Sequence, residues 1–161
     1  MKWAVTGANG NVGRRLIEEL LKNTSADIVA IVRSDRAKKQ VLSALTHTEL
    51  ELAQRVSTAV LDYTDVSSMC RVLEGVSLVG HLVGIIKESD GATYVATHEK
   101  SSAALVEALQ KNPDVHITYL SIVGATPTLS NACLASKGRA EVLFDNAVNR
   151  ACTLRLPMVL G

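Results

Sequence analysis

Short apolar runs alternate with amphipathic segments along almost the whole chain. The runs are rich in β-branched residues, which is typical of strands, and they lie at residues 2–6, 27–33, 56–61, 76–83, 115–121 and 152–156. The segments between them repeat apolar positions at helical spacing, at residues 12–21, 35–45, 66–73, 93–110 and 132–149. The stretch up to residue 54 either continues the second of these helices or turns back.

The order of these elements predicts the fold class. Strands that alternate with helices form right-handed crossover units around a parallel sheet. The run at residues 27–33 is nearly continuous in apolar residues, as in a strand that is buried on both faces. We therefore expect an α/β fold of the Rossmann type, a doubly wound parallel sheet of about six strands with helices on both faces.

A glycine-rich segment, TGANGNVG, lies where the first strand turns into the first helix. Gly7 would allow the sharp turn, Gly10 would let the backbone approach a pyrophosphate, and Gly13 would let the helix pack closely on the strand. The free N–H groups of the first helical turn would then face the phosphates. The alternative is a glycine-rich turn without a ligand. We assign dinucleotide binding here to Gly7, Asn9, Gly10, Asn11, Val12 and Gly13.

The end of the second strand distinguishes between the two nicotinamide dinucleotides. An acidic residue there would bind the ribose hydroxyls of NAD, but the sequence reads IVRSDRAKK, with Arg33 at the tip. A guanidinium at this position suits the 2′-phosphate of NADP. Asp35 could still reach a ribose, and the charges could also be a solvated helix start. The sequence favours NADP over NAD.

Composition and charge argue against several classes of function. Lys and Arg number 17 against 16 Asp and Glu, so nothing favours nucleic acid as a partner. No apolar run reaches the roughly 18 residues of a transmembrane helix. The cysteines, Cys70, Cys133 and Cys152, are scattered and odd in number. They indicate reduced thiols in a cytoplasmic protein with no metal site, and the length suits one domain over residues 1–161.

Several motifs together resemble the short-chain dehydrogenase/reductases. These are TGANGNVG, IVRSD, LDYTD at residues 61–65 and LSIVGA at residues 120–125, and they are most similar to atypical and extended, epimerase-like members. HLVGIIKESDGATYVATHE and ASKGRAE resemble the nucleotide-binding accessory subunit of respiratory complex I and its bacterial relatives. The resemblance implies that Asp62 lies beside the adenine and that Leu82, Val83 and Gly84 follow the cofactor. A turn or helix-cap role is the alternative for Asp62.

The catalytic residues that the resemblance implies are only partly present. Active members carry a Tyr-x-x-x-Lys pair, whose lysine lowers the pKa of the tyrosine, and a serine or threonine at the end of the fifth strand. Lys137 and Ser121 match two of these, but the tyrosine position holds Cys133. Tyr94 and Tyr119 do not have the spacing to replace it. His98 falls where related enzymes often carry an asparagine.

The role of each of these residues stays open between two interpretations. Cys133 is a thiolate favoured by the nearby lysine or a small thiol that fills space. Ser121 contacts substrate or caps a strand, and Lys137 keeps a ribose contact or lies on the surface. His98 is a relay member or a packed helix residue.

The end of the chain leaves two functions open. TLRLPMVLG resembles the family's sixth strand and the loop after it, where relatives continue into a part that builds the substrate pocket. We expect that part to be absent here, so that the sixth strand forms an open edge. The chain is then an NAD(P)-dependent oxidoreductase domain that acts on an unknown small molecule. The alternative is a non-catalytic NADP-binding module, a structural subunit with a protein partner or a redox sensor.

Overall fold

The fold is a single parallel sheet with helices on both faces, as the sequence predicts. The computed structural model describes residues 1–157, apart from the side chain of His47. The sheet has the strand order β3-β2-β1-β4-β5-β6, and every neighbouring pair runs parallel. The strands are β1 (Lys2–Thr6), β2 (Asp27–Val32), β3 (Val56–Val60), β4 (Val76–His81), β5 (His116–Ile122) and β6 (Ala151–Leu156).

Six α-helices connect the strands. They are α1 (Asn11–Asn23), α2 (Asp35–Ala44), α3 (Leu50–Ala53), α4 (Val66–Val72), α5 (Ser101–Leu109) and α6 (Ala132–Asp145). Side-chain caps begin three of them, because the oxygens of Ser34, Asp65 and Asn131 accept hydrogen bonds from N–H groups of the first turn. A short 3₁₀ turn at Leu45–His47 separates α2 from α3, so the stretch up to residue 54 turns back.

Two apolar cores lie on opposite faces of the sheet. Successive strand residues point to opposite faces, so Val5 packs with α1 and α2 while Ala4 packs with α4, α5 and α6. All of β2 after its first residue is buried, which confirms the prediction made from its continuous apolar run. Ile17 and Leu21 of α1 fill one core, and Phe144 of α6 fills the other.

The long helix predicted at residues 93–110 is present over residues 94–109, but its first half is not a regular α-helix. Val95–Lys100 is a π-helical turn, and only Ser101–Leu109 is a regular α-helix. Two buried residues at this junction, His98 and Ser102, are tied to other elements by side-chain hydrogen bonds, described below. The predicted end of the last helix is also too late, since α6 ends at Asp145. Tertiary contacts override local helix preference at these points.

The topology fixes the place where a ligand would bind. The chain winds outward from β1 in one direction through β2 and β3, and in the other through β4, β5 and β6. The connections after β1 and β4 therefore part at the carboxyl edge of the sheet and leave a crevice between them. The glycine-rich segment and the stretch that follows β4 form the two sides of this crevice.

Candidate functional site

In the glycine-rich turn, backbone atoms of different segments lie close to one another. Gly7 has a φ of +67°, and a Cβ there would lie 3.0 Å from the carbonyl of Leu82. A Cβ on Gly13 would lie 2.5 Å from the Gly7 oxygen. A Cβ on Gly10 would meet only that same oxygen, at 3.2 Å. The turn itself therefore requires Gly7 and Gly13, whereas Gly10 leaves open space at the start of α1.

Tyr63 holds this turn against the neighbouring strand. Its hydroxyl accepts a hydrogen bond from the Gly7 N–H at 2.9 Å and donates one to the Ile31 carbonyl at 2.9 Å. The side chain is 9% exposed, and burial raises the pKa of the phenol to about 12. The sequence analysis missed this residue, although the LDYTD motif contains it. No spacing rule indicates that a side chain after β3 reaches the turn after β1.

The larger part of the crevice is a cleft of about 590 Å³ at the ends of β1, β2, β3 and β4. Its walls include eight of the predicted dinucleotide-binding residues: Gly7, Asn9, Gly10, Arg33, Asp62, Leu82, Val83 and Gly84. Arg33 is exposed at the tip of β2. Asp62 lines the cleft and also forms a turn, since its Oδ1 accepts from the N–H and the hydroxyl of Thr64. The turn role of Asp62 is therefore observed, whereas its contact with an adenine stays a prediction that its place in the cleft allows.

A second cavity of about 330 Å³ continues from the cleft towards β5, β6 and α6. The two share Gly7, Gly10, Leu82, Gly84 and Ile85, so they join across the glycine-rich turn. The remaining predicted residues line this second cavity: Asn11, Val12, Gly13, Ser121, Cys133 and Lys137. The two together form one elongated crevice whose middle lies at the N-terminus of α1, which suits the pyrophosphate of a dinucleotide.

Lys137 is buried, which excludes the surface interpretation. It is 9% exposed, and its Nζ donates to the Leu120 carbonyl at 2.8 Å and lies 4.8 Å from the centre of the Tyr119 ring. A Cβ on Gly84 would come within 3.1 Å of the same nitrogen. Burial lowers the pKa of Lys137 to about 8, against the opposing attraction of Cys133 and Glu141. The ammonium can therefore release a proton close to neutral pH.

His98 is a packed residue that positions the stretch after β4. Its Nε2 accepts from the Ile85 N–H at 3.0 Å, so its Nδ1 carries the proton and donates to Ser136 at 2.7 Å. Burial, aided by the charge of Lys137, lowers the pKa of His98 to about 4. The imidazole is therefore neutral and connects this stretch to α6.

Tyr94 reaches the neighbourhood of Cys133 although its spacing in the sequence does not suggest it. Its ring stacks on His98 at 5.6 Å between ring centres, and its hydroxyl donates to the Ile86 carbonyl at 2.7 Å. Partial burial and the proximity of Cys133 raise the pKa of the phenol. Cys133 itself is half-buried, and its Sγ lies 3.7 Å from the Ile85 carbonyl oxygen.

A second histidine, His81, is fully buried at the end of β4. Its Nδ1 lies 2.8 Å from the Thr6 hydroxyl of β1, and its Nε2 lies 3.3 Å from the Ser102 hydroxyl. Because Ser102 donates its own proton to the His98 carbonyl, it accepts from His81 Nε2. Burial lowers the pKa of His81 to about 3. This neutral histidine ties the two central strands to α5.

Ser121 lies at the end of β5 with a hydroxyl that is not used for capping. It is 4% exposed, and its Oγ has no hydrogen-bond partner of good geometry. The nearby Glu141 carboxylate is held instead by Arg155, at 2.6 and 3.0 Å. Burial opposes ionisation of Glu141, but Arg155 and the adjacent Ser121 hydroxyl keep its pKa below the usual value. Buried hydroxyls without a partner are uncommon, so the Ser121 Oγ is available to a ligand.

Residues 1–157 contain neither a metal-binding cluster nor a membrane-spanning helix. No group of three or more His, Cys, Asp or Glu side chains in this range could hold a metal ion. No helix in this range is long and apolar enough to cross a membrane.

Solved structures with this fold include nucleotide-dependent enzymes. UDP-glucuronic acid 4-epimerase from Bacillus cereus, in complex with NAD, is 23% identical, with a TM-score of 0.75 over 96% of this chain and 56% of that chain. WbmG from Bordetella bronchiseptica, in complex with NAD, is 19% identical, with a TM-score of 0.73 over 96% and 52%. The terminal R domain of the myxalamid PKS-NRPS biosynthetic pathway is 20% identical, with a TM-score of 0.78 over 96% and 48%.

This chain spans about half the length of these three solved proteins. No curated protein matches the sequence. A family model described as NAD(P)H-binding matches residues 7–147, which include the glycine-rich turn from Gly7 onwards and all of α6. The matched range covers most of the sequence and includes the predicted binding residues that line both cavities. The chain therefore belongs to the NAD(P)H-binding family.

Proposed function

We propose that this chain is the NAD(P)-binding domain of an atypical short-chain dehydrogenase/reductase that prefers NADP and supports hydride transfer. The main support for this proposal is that the two cavities join at the glycine-rich turn and form one elongated crevice. The cleft beside Arg33 takes the adenosine end. The cavity beside Lys137 takes the nicotinamide end. The scattered free cysteines support a cytoplasmic location as part of the same proposal.

The preference for NADP rests on positive charge around the adenosine end. Arg33 lines the cleft, and no resolved ion pair occupies its guanidinium among the described residues. Arg14, Arg36 and Lys39 line a shallow hollow next to it, between α1 and α2. Arg14 Nε is buried without a hydrogen-bond partner. A 2′-phosphate at this side of the cleft would meet several cations, whereas NAD would leave them without an anion.

The proton-transfer chemistry would fall to Lys137 and Ser121. A bound nicotinamide supplies or accepts hydride, so the chain must supply or accept a proton and orient a carbonyl or hydroxyl oxygen. Lys137 has a pKa of about 8 and lines the cavity. Ser121 offers a buried hydroxyl at the end of β5. These two groups suit a substrate oxygen even though the tyrosine position holds Cys133.

The alternative function is a non-catalytic NADP-binding module, a structural subunit as in the complex I relatives or a redox sensor. Cys133 favours this alternative, because no tyrosine lines the second cavity among the described residues. We further propose that a segment beyond this sequence, or a partner chain, completes the substrate pocket. The edge position of β6, next to that cavity, supports this.

A Cys133→Tyr variant separates the two functions. It recreates the Tyr-x-x-x-Lys pair on α6, four residues apart on one helix face. Oxidation of NADPH by small carbonyl compounds, followed by the absorbance of the reduced nicotinamide, should appear or rise in the variant. Unchanged inactivity of both proteins, with cofactor binding intact by titration, would support the non-catalytic module instead.

A further inference from the structure

The lining of the second cavity is mostly apolar and includes three reactive side chains. Its apolar walls include Val12, Ile86 and Leu156, and its polar side chains include Ser121, Cys133 and Lys137. A pocket of this kind binds a small, mostly apolar molecule and fixes it by a few convergent polar groups.

Two of these side chains are arranged to meet an oxygen. Ser121 is 4% exposed, and its Oγ has no hydrogen-bond partner of good geometry, so its hydroxyl can turn from the adjacent Glu141 carboxylate to a ligand. Lys137 uses one N–H on the Leu120 carbonyl, and an ammonium has three donors. The cavity therefore holds spare donors, from β5 and from α6, for an oxygen that gains negative charge.

Cys133 supplies a nucleophile in the same cavity. It lies one helical turn before Lys137 on α6, and both side chains line the cavity. It is half-buried, whereas Cys70 and Cys152 are exposed, and neither of those two lines the cavity. Sulfur is a stronger nucleophile than the phenol that relatives place at this position.

We propose that this cavity captures an aldehyde covalently, as a thiohemiacetal on Cys133, with Ser121 and Lys137 at the carbonyl oxygen. The proposal rests on the proposed function, because it names the substrate class for the same site. It assigns to Cys133 a bond to substrate in place of the proton transfer carried out by a tyrosine.

The step balances without any further reagent. The Cys133 Sγ forms a bond to the carbonyl carbon, and the π bond of the carbonyl breaks towards oxygen. Lys137 gives a proton to that oxygen and regains one from the thiol, so the thiol proton ends on the new hydroxyl. No electron leaves or enters the pair of reactants, so no oxidant or reductant is required.

Carbon-13 NMR of the cofactor-free protein tests the capture directly. Hexanal labelled at its carbonyl carbon is the probe, since it is small and apolar. Wild-type protein should shift the labelled carbon from the carbonyl region to the region of a carbon bonded to oxygen and sulfur. The signal should be lost in Cys133→Ala and Cys133→Ser and kept in the Cys70→Ser/Cys152→Ser double variant, with folding of each checked by circular dichroism.

A second readout keeps the test valid if the Cys133 variants do not fold. In wild-type protein, hexanal should protect Cys133 from alkylation by iodoacetamide, as read by peptide mass spectrometry, and leave Cys70 alkylated at its usual rate. An adduct that persists without Cys133, or no protection of Cys133, would overturn the proposal. Both readouts are independent of cofactor binding. If the protein binds NADPH but does not capture hexanal, only this inference is rejected. If it captures hexanal but does not bind NADPH, only the dinucleotide site is rejected.

Discussion

At the scale of single residues, the site combines buried polar groups with exposed charge. Lys137, His98 and His81 are all buried, and burial keeps the two histidines neutral while it leaves the lysine with a pKa of about 8. Arg33, by contrast, is exposed at the rim of the cleft. The buried groups fix the geometry of the site through their hydrogen bonds, and under the proposed function Arg33 is the group that meets the 2′-phosphate.

Arg33→Ala should weaken NADPH binding about tenfold to a hundredfold, because a charge-assisted contact contributes about 1.5–3 kcal/mol. NADH binding should change little, since NADH has no 2′-phosphate. Calorimetric titration of both cofactors measures this difference. Lys38→Ala is the matched control, because it removes one positive charge from α2 and Lys38 lines neither cavity. Equal losses for NADPH and NADH would contradict a role for Arg33 at the 2′-phosphate.

Tyr63→Phe should lower the free energy of unfolding by about 1 kcal/mol, because the half-buried Gly7 N–H loses its acceptor and the Ile31 carbonyl loses one donor. It should also weaken cofactor binding, since the turn proposed to face the phosphates then keeps only the longer Ala8 N–H bond to the Ile31 carbonyl, at 3.4 Å. Urea unfolding and titration measure the two effects. Tyr94→Phe removes a hydroxyl from a more exposed site and serves as the control. Similar effects of both changes would argue against the bracing role of Tyr63.

At the scale of elements, the pattern of apolar positions predicts the strands of the sheet correctly but does not predict all details of the segments that connect them. The six strands and the turn at Gly7 follow from local sequence, because burial on two faces and a sharp strand-to-helix turn each have a local signature. The π turn at Val95–Lys100 does not, because buried contacts of His98 with the stretch after β4 and with α6 decide it. Tyr63 was missed for the same reason.

The histidine network at the ends of β4 and α5 should make stability depend on acid pH. His81 and His98 have folded-state pKa values of about 3 and 4, below the usual 6.5, because burial opposes their protonation. The unfolded chain therefore binds more protons between pH 6.5 and 4, and stability falls as the pH drops through that window. Each histidine contributes a slope of up to about 1.4 kcal/mol per pH unit.

Urea unfolding across this pH window tests the network. His98→Gln should flatten the slope by the contribution of one histidine, since glutamine does not titrate. His116→Gln, at an exposed position in β5, is the control and should leave the slope unchanged. A slope that is equally steep in His98→Gln would mean that other groups account for the acid sensitivity.

At the scale of the whole molecule, the doubly wound topology joins the two halves of the site. Windings in opposite directions from β1 and β4 open the crevice, and the N-terminus of α1 lies at its middle. The half with Arg33 lies at the ends of β2 and β3, and the half with Cys133 and Lys137 lies at the ends of β5 and β6. Among residues 1–157 β6 is an edge of the sheet with Leu154 45% exposed, so the half of the crevice with Cys133 and Lys137 borders an uncovered strand.

The most direct test of dinucleotide binding is a calorimetric titration of this chain with NADPH and, separately, with NADH. We expect both to bind and NADPH to bind more tightly. Gly10→Val should keep the far-ultraviolet circular dichroism of the wild type and bind neither, because its side chain would occupy the space above the start of α1. No binding to the wild-type chain, or unchanged binding to the variant, would contradict the account.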